Sequence, residues 1–394
     1  MKKLLTATAA IAMFAGAAQA EDVKIGVILG FTGPIESLTP DMAAAAEMAM
    51  KEVSDSGKFL GGSAIMPVRA DSTCVDSAAA SAAAERLITA DKVSAIMGAD
   101  CSGVTGAILA NVAVPNGVTM ISPSATSPGL STAEDNGLFF RTAPSDARQG
   151  QVLADVMGAR GITEVAVTYT NNDYGKGLSD SFIAAFEAAG GTVTINAPHE
   201  DGKADYSAEI GALAAAGGQV LAVLGYADQG GKGIIQAALD TGAFDTFALG
   251  DGMYAEALLA DLGADMEGSF GSVPWSEGAG SDAFAAQAEA NGVNGSGPFT
   301  RESYDAAALL AMAMQKAGSA DPATVAANVL DVANAPGEQI LPGELGKALD
   351  IIAAGGDVDY VGATNVELIG PGEAAGSYRE YTITGGKFQT VQFR

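Results

Sequence analysis

Short runs of apolar, β-branched residues alternate along the chain with longer alanine-rich amphipathic segments. Val23–Leu29 (VKIGVIL) reads as a strand, and Asp41–Val53 as a helix opened by the capping signal at Thr39. Strands are predicted at 65–70, 93–98 and 118–122, with helices at 77–89 and 102–112 between them. A turn-rich stretch, Pro123–Gly137, interrupts the rhythm, and a short strand follows at 138–141.

The alternation then restarts. Helices are predicted at 145–160, 174–189, 206–216, 229–241 and 254–262, and strands at 165–170, 192–195, 220–225 and 246–249. In the second of these helices Leu178, Phe182 and Phe186 recur every four residues on one face, and Gly190-Gly191 ends it. Later helices are predicted at 282–290, 301–317 and 322–333. The run Ala306–Met314 is nearly all apolar and should be buried on most sides. Residues 335–376 are glycine-rich and show no clear period; 378–384 and 388–393 read as a hairpin around Gly385-Gly386.

Strand–helix–strand repetition implies parallel sheets covered by helices on both faces. Two α/β halves in series fit this, and so does one (β/α)₈ barrel; the break at 123–141 favours two lobes. Either architecture places ligands at the C-terminal ends of strands.

The N-terminus changes the compartment. Lys2 and Lys3 precede the uncharged stretch Leu4–Ala17, and Ala18-Gln19-Ala20 is a small-residue cleavage signal. Residues 1–20 therefore read as a secretory signal peptide, and the periplasm is the expected location. No later run reaches the roughly 18 apolar residues of a membrane span. The formal charge of −27 becomes about −29 once the two lysines are removed. That excess repels nucleic acid and anionic membranes, so neither is expected as a partner. With 48% hydrophobic residues the 394-residue chain still has ample core.

Export gives the two cysteines a meaning. Cys74 and Cys101 should form a disulfide, whose loop of about 27 residues would contribute roughly 3–3.5 kcal/mol. The single histidine makes a His-rich metal site impossible, and any imidazole-dependent enzyme would rest on His199, which reads as a surface loop residue. Hydrolase, P-loop, zincin and dinucleotide signatures are absent, so neither enzyme chemistry nor a cofactor or metal is expected.

The strand-end segments suit binding. Ser102 opens a helix, where free N–H groups favour a carboxylate. Ile121–Pro128 is dense in hydroxyls. Tyr174 and Tyr226 follow strands of the second half, and Asp251 lies between two glycines. Together they describe hydroxyls for a carboxylate on one wall, and an acid with aromatics for an ammonium on the other.

These segments resemble the type I periplasmic solute-binding proteins of ABC transporters, in the branched-chain amino acid group. The resemblance is carried by Val23–Val27 with Thr32-Gly33-Pro34-Ile35, Cys74 with Cys101-Ser102, Met120–Pro123 with Ala125-Thr126, Arg141-Thr142-Ala143, Asp173–Gly177 and Tyr304–Ala307. It covers most of residues 22–317. It implies two doubly wound lobes with parallel central sheets and a three-segment hinge. The first lobe would comprise 21–143 and 272–360, the second 144–271 and 361–394, with crossings near 141–145, 271–275 and 360–365. It further implies that Ser102 and Thr126 hold the ligand's α-carboxylate and the Ala125 carbonyl takes its ammonium. Tyr174 would close from the second lobe with Tyr226. Asp251 stands where the family usually has Glu, as the ammonium's acidic partner. Leu38 and Phe299 fall on lining positions, Leu38 where a large aromatic is common. The implied protein is a monomer that delivers an amino acid, branched-chain or otherwise apolar, to membrane permease subunits. Amides, urea-like compounds and aromatic carboxylates remain as alternative ligands. Presentation to a sensory receptor and an exported α/β enzyme remain as alternative roles.

Overall fold

The computed structural model describes residues 21–394; the signal-peptide reading of 1–20 lies outside the described residues. The first five strands run β1 (Val23–Leu29), β2 (Ile65–Asp71), β3 (Ala95–Gly98), β4 (Met120–Ser122) and β5 (Phe139–Pro144), all parallel. The chain then crosses to a second sheet. There β6 (Glu164–Thr170), β7 (Thr192–His199), β8 (Val220–Leu224), β9 (Phe247–Leu249) and β10 (Phe270–Pro274) repeat the parallel pattern. β1 and β8 are buried almost throughout, as strands covered by helices on both faces must be. β11 (Glu338–Ile340) and β12 (Val358–Tyr360) form a small separate ladder.

The last strands divide between the two sheets. β13 (Leu368–Ile369) pairs with β14 (Glu373–Ala374), and β14 pairs with β5 in the first sheet. β15 (Tyr378–Thr384) joins the second sheet antiparallel to β10, and β16 (Lys387–Phe393) pairs antiparallel with β15 in the expected hairpin. Each sheet thus has seven strands, in the orders β13-β14-β5-β4-β3-β1-β2 and β16-β15-β10-β9-β8-β6-β7. Two doubly wound lobes, rather than one barrel, are present.

Two expected lobe boundaries move. β10 belongs wholly to the second sheet, so residues 272–274, expected in the first lobe, lie in the second, and the crossing follows Pro274 at the far end of the expected 271–275. The third lies at 375–377, because 368–374 belongs to the first sheet and not, as expected for 361–394, to the second lobe. Its anchor is a tertiary ion pair. Glu373 binds Arg141, a β5 side chain only 1% exposed.

The helix Thr300–Ala317 packs under the first sheet and is buried from Thr300 to Gln315, matching its apolar sequence. The helix Asp173–Ala188 buries Leu178, Phe182 and Phe186 together and packs on the helix Asp146–Ala159. Gly150 permits this close approach, since a β-carbon there would lie 2.6 Å from the Phe182 nitrogen. Among the described residues, no helix is long and apolar enough to cross a membrane.

Candidate functional site

The two sheets present the C-terminal ends of their strands to one another, and a small cavity lies between them. The lobes stand closed over it: the Asp228 carboxylate of the second lobe accepts from the Ser37 N–H of the first at 2.8 Å, and the Asp228 N–H donates to the Pro34 carbonyl at 3.1 Å. From the first lobe Ile35, Leu38, Met42 and Phe299 supply an apolar wall, and Asp100, Ser102 and Ser124 a polar one. From the second lobe come Tyr174, Tyr226, Asp251 and Gly252.

Six of the eight expected site residues therefore share one cavity: Leu38, Ser102, Tyr174, Tyr226, Asp251 and Phe299. Ala125 and Thr126 are buried but do not reach its wall; their neighbour Ser124 does.

Ser102 is the first residue of the helix Ser102–Ile108, and Cys101 occupies the cap position without a side-chain cap bond. The Ser102 hydroxyl is thus not used for capping. It accepts from the Ser127 N–H at 3.1 Å, which leaves its own proton free to donate. The Thr126 hydroxyl is buried without a hydrogen-bond partner. The Cys74–Cys101 disulfide joins the end of β2 to this helix start, with Cα atoms 5.1 Å apart.

The Ala125 carbonyl accepts from Arg141 Nη1 at 3.0 Å, and the Ser127 carbonyl accepts from the same nitrogen at 2.9 Å. The carbonyl expected to take a ligand's ammonium therefore already faces a cation. Sequence pattern could not show this, because Arg141 lies on the next strand.

On the opposite wall Tyr174 stacks on Tyr226, with ring centroids 5.1 Å apart and planes 17° from parallel. The Tyr174 hydroxyl donates to Asp251 Oδ1 at 2.5 Å and accepts from the Gly252 N–H at 3.1 Å. Gly252 is required there: a β-carbon would lie 2.6 Å from the Gly225 carbonyl oxygen. Asp251 is 1% exposed. Burial raises its pKa to about 6, although the Tyr174 hydroxyl and the Gly252 N–H favour the charged form.

Two acids escaped the sequence reading. Asp100 lines the cavity but is spent on structure, accepting from the Gly30 N–H, the Ser72 hydroxyl and the Cys101 N–H. Asp146, first residue of the helix Asp146–Ala159, is fully buried outside the cavity lining, and neither carboxylate oxygen makes a hydrogen bond. Only its place within the Arg141–Asp146 segment could have drawn attention to it.

His199 is not a surface residue. It ends β7, is 1% exposed, and its Nδ1 lies 2.9 Å from the Thr168 hydroxyl. Burial lowers its pKa to about 4, so the ring is neutral, and it lies outside the cavity wall. It supplies no base to the site.

Comparison with known proteins agrees with this geometry. A family model described as periplasmic binding protein matches residues 22–339. Leu/Ile/Val-binding protein homolog 3 of Brucella melitensis is 30% identical, covering 83% of this chain and 88% of its own. The chemotactic signal transduction system substrate-binding protein BasB of Halobacterium salinarum is 29% identical, covering 94% and 89%. Among solved structures, the branched-chain amino acid transporter substrate binding protein LivJ of Streptococcus pneumoniae, in complex with isoleucine, superposes with a TM-score of 0.76. It is 22% identical and covers 95% of this chain and 99% of that one. With two lobes, a closed cleft and these relatives, the chain belongs to the periplasmic binding protein family, beside the Leu/Ile/Val-binding proteins.

Proposed function

We propose that this protein is the substrate-binding component of an ABC importer and takes an apolar amino acid between its lobes. One observation carries the reading. The cavity has a buried acid, Asp251, on one wall and a free hydroxyl at an uncapped helix start, Ser102, on the other. No cationic side chain lines it. That is the complement of a zwitterion. Ser102 serves the α-carboxylate. Asp251, oriented by Tyr174, serves the ammonium, while the Ala125 carbonyl is left to Arg141. Ile35, Leu38, Met42 and Phe299 then receive the side chain. Lobe closure excludes water and strengthens both polar contacts.

Residues 1–20 act as the export signal, the periplasm is the site of action, and the monomer hands its ligand to permease subunits without chemical change. A thermal-shift panel of α-amino acids tests the ligand class. Ligand at 100-fold its Kd should add about 2.7 kcal/mol of stability; no shift with any member would overturn the amino acid assignment and leave the fold untouched.

The likeness to BasB favours a second reading, in which the closed form is presented to a receptor for sensing. Capture of permease subunits rather than a receptor domain by the ligand-loaded protein would decide for transport.

A further inference from the structure

Two glycines near the start of the helix Asp173–Ala188 are closely packed, but against different partners. Gly175 faces its own lobe: a β-carbon there would lie 2.2 Å from the carbonyl oxygen of Thr170, the last residue of β6. Gly177 faces the other lobe. A β-carbon there would lie 2.8 Å from Pro128 Cδ and 3.0 Å from Ser127 Oγ, both in the segment between β4 and β5 of the first sheet. Neither neighbour yields easily. Pro128 is a rigid ring that opens the short 3₁₀ helix Pro128–Thr132. Ser127 is held at three atoms: its N–H donates to the Ser102 hydroxyl at 3.1 Å, its carbonyl accepts from Arg141 Nη1 at 2.9 Å, and its hydroxyl accepts from the Gly129 N–H at 3.3 Å.

This contact links the two walls of the cleft. Ser127 bonds Ser102, which lines one wall. Gly177 stands one turn after Tyr174, which lines the other wall and bonds Asp251. We propose that Gly177 is a specificity-determining residue that sets the spacing between Ser102 and Asp251. With no side chain at 177 the second lobe descends until hydroxyl and acid match a carboxylate and an ammonium borne on one carbon. The spacing role rests on the amino acid reading above. A β-carbon at 177 holds the lobes about 1 Å further apart, the difference between a 2.8 Å approach and an ordinary carbon contact. It leaves the open protein unstrained, because Ser127 and Pro128 then stand away from the helix.

Gly177→Ala and Gly175→Ala separate closure from folding. Without ligand, Gly177→Ala should hold or raise the melting temperature, because alanine is the better helix former, whereas Gly175→Ala should lower it. In calorimetry Gly177→Ala should bind L-leucine about 5- to 150-fold more weakly, the penalty of an overpacked contact felt by the closed state alone. Its preference for L-leucine over β-homoleucine, whose amine stands one carbon further from the carboxylate, should shrink. Unchanged leucine affinity, an undiminished preference, or a ligand-free melting temperature that falls as in Gly175→Ala would each overturn the proposal and leave the amino acid reading intact. Closure can also be read without a ligand. In Ser37→Cys/Asp228→Cys the two new thiols meet only when the lobes close, and the native cysteines are already bonded to each other. Under oxidised glutathione their cross-linking should slow at least about five-fold when Gly177→Ala is added; equal rates would overturn the claim even if no amino acid binds.

Discussion

Asp228 of the second lobe clasps the first-lobe lip of the cleft: its carboxylate accepts from the Ser37 N–H at 2.8 Å, and its own N–H donates to the Pro34 carbonyl at 3.1 Å. The clasped residues flank Ile35 and Leu38, which line the cavity. The bond forms only when the lobes meet, so it stabilises the closed form alone. Asp228→Ala should weaken ligand binding about five-fold, the worth of roughly 1 kcal/mol for a partly exposed hydrogen bond. The loss should appear in the dissociation rate measured by stopped flow. An unchanged rate would mean that the clasp is incidental to closure.

Asp251 is buried in the closed protein, where solvent cannot make good its loss. Asp251→Ala should cost an amino acid about 30- to 150-fold in affinity, corresponding to roughly 2–3 kcal/mol for a buried charge-assisted contact. The corresponding acid without the amine should lose much less. Equal losses in a calorimetric comparison would remove Asp251 from the ammonium site.

Trp275, the only tryptophan, sits on the second crossing. Its ring meets two guanidinium groups, that of Arg379 of β15, 3.4 Å from the centroid, and that of Arg301 of the helix Thr300–Ala317, at 3.8 Å. One guanidinium belongs to each lobe. Hinge motion should therefore change the stacking, and saturating ligand should shift Trp275 emission. The shift should shrink in Arg379→Ala. A spectrum indifferent to ligand would show that the ring and both guanidinium groups move as one body.

His199 offers a stability test away from the cleft. Its folded pKa, about 4, lies below the unfolded value near 6.5, because burial disfavours the imidazolium. The unfolded chain thus binds the proton first as pH falls. The contribution of the neutral ring is complete above about pH 6.5 and is lost toward pH 4, up to roughly 3 kcal/mol. Denaturant unfolding of the wild type and of His199→Gln across this range should show a stability difference that changes with pH in this sense. A constant difference would contradict the buried neutral ring.

Elements whose periodicity is local were legible. β1 reads as a strand because every residue but Lys24 is apolar or small, and Leu178, Phe182 and Phe186 declare their helix by spacing alone. The site was legible to the extent that it stands on strand ends, which the strand–helix rhythm locates; Ser102, Tyr174, Tyr226 and Asp251 were found in this way. β13 and β14 were not, because two-residue strands carry no period and their place depends on Arg141, more than 200 residues away, meeting Glu373. His199 was misjudged for a related reason. The polar run Pro198–Gly202 resembles a loop, but β7 continues to its second residue and neighbouring chain covers the ring.

The sequence by itself determined the repeated α/β units, the two-lobe division, the cysteine pair and the strand-end residues that could meet a zwitterion. Each follows from short-range pattern or from the resemblance carried by local motifs. Tertiary structure decided which sheet takes the last strands, that Arg141 occupies the Ala125 carbonyl, and that Asp146 lies buried with neither carboxylate oxygen hydrogen-bonded. Those outcomes depend on which groups share a desolvated space after folding. Charge and hydrogen bonding act through space there, and chain order does not encode that distance.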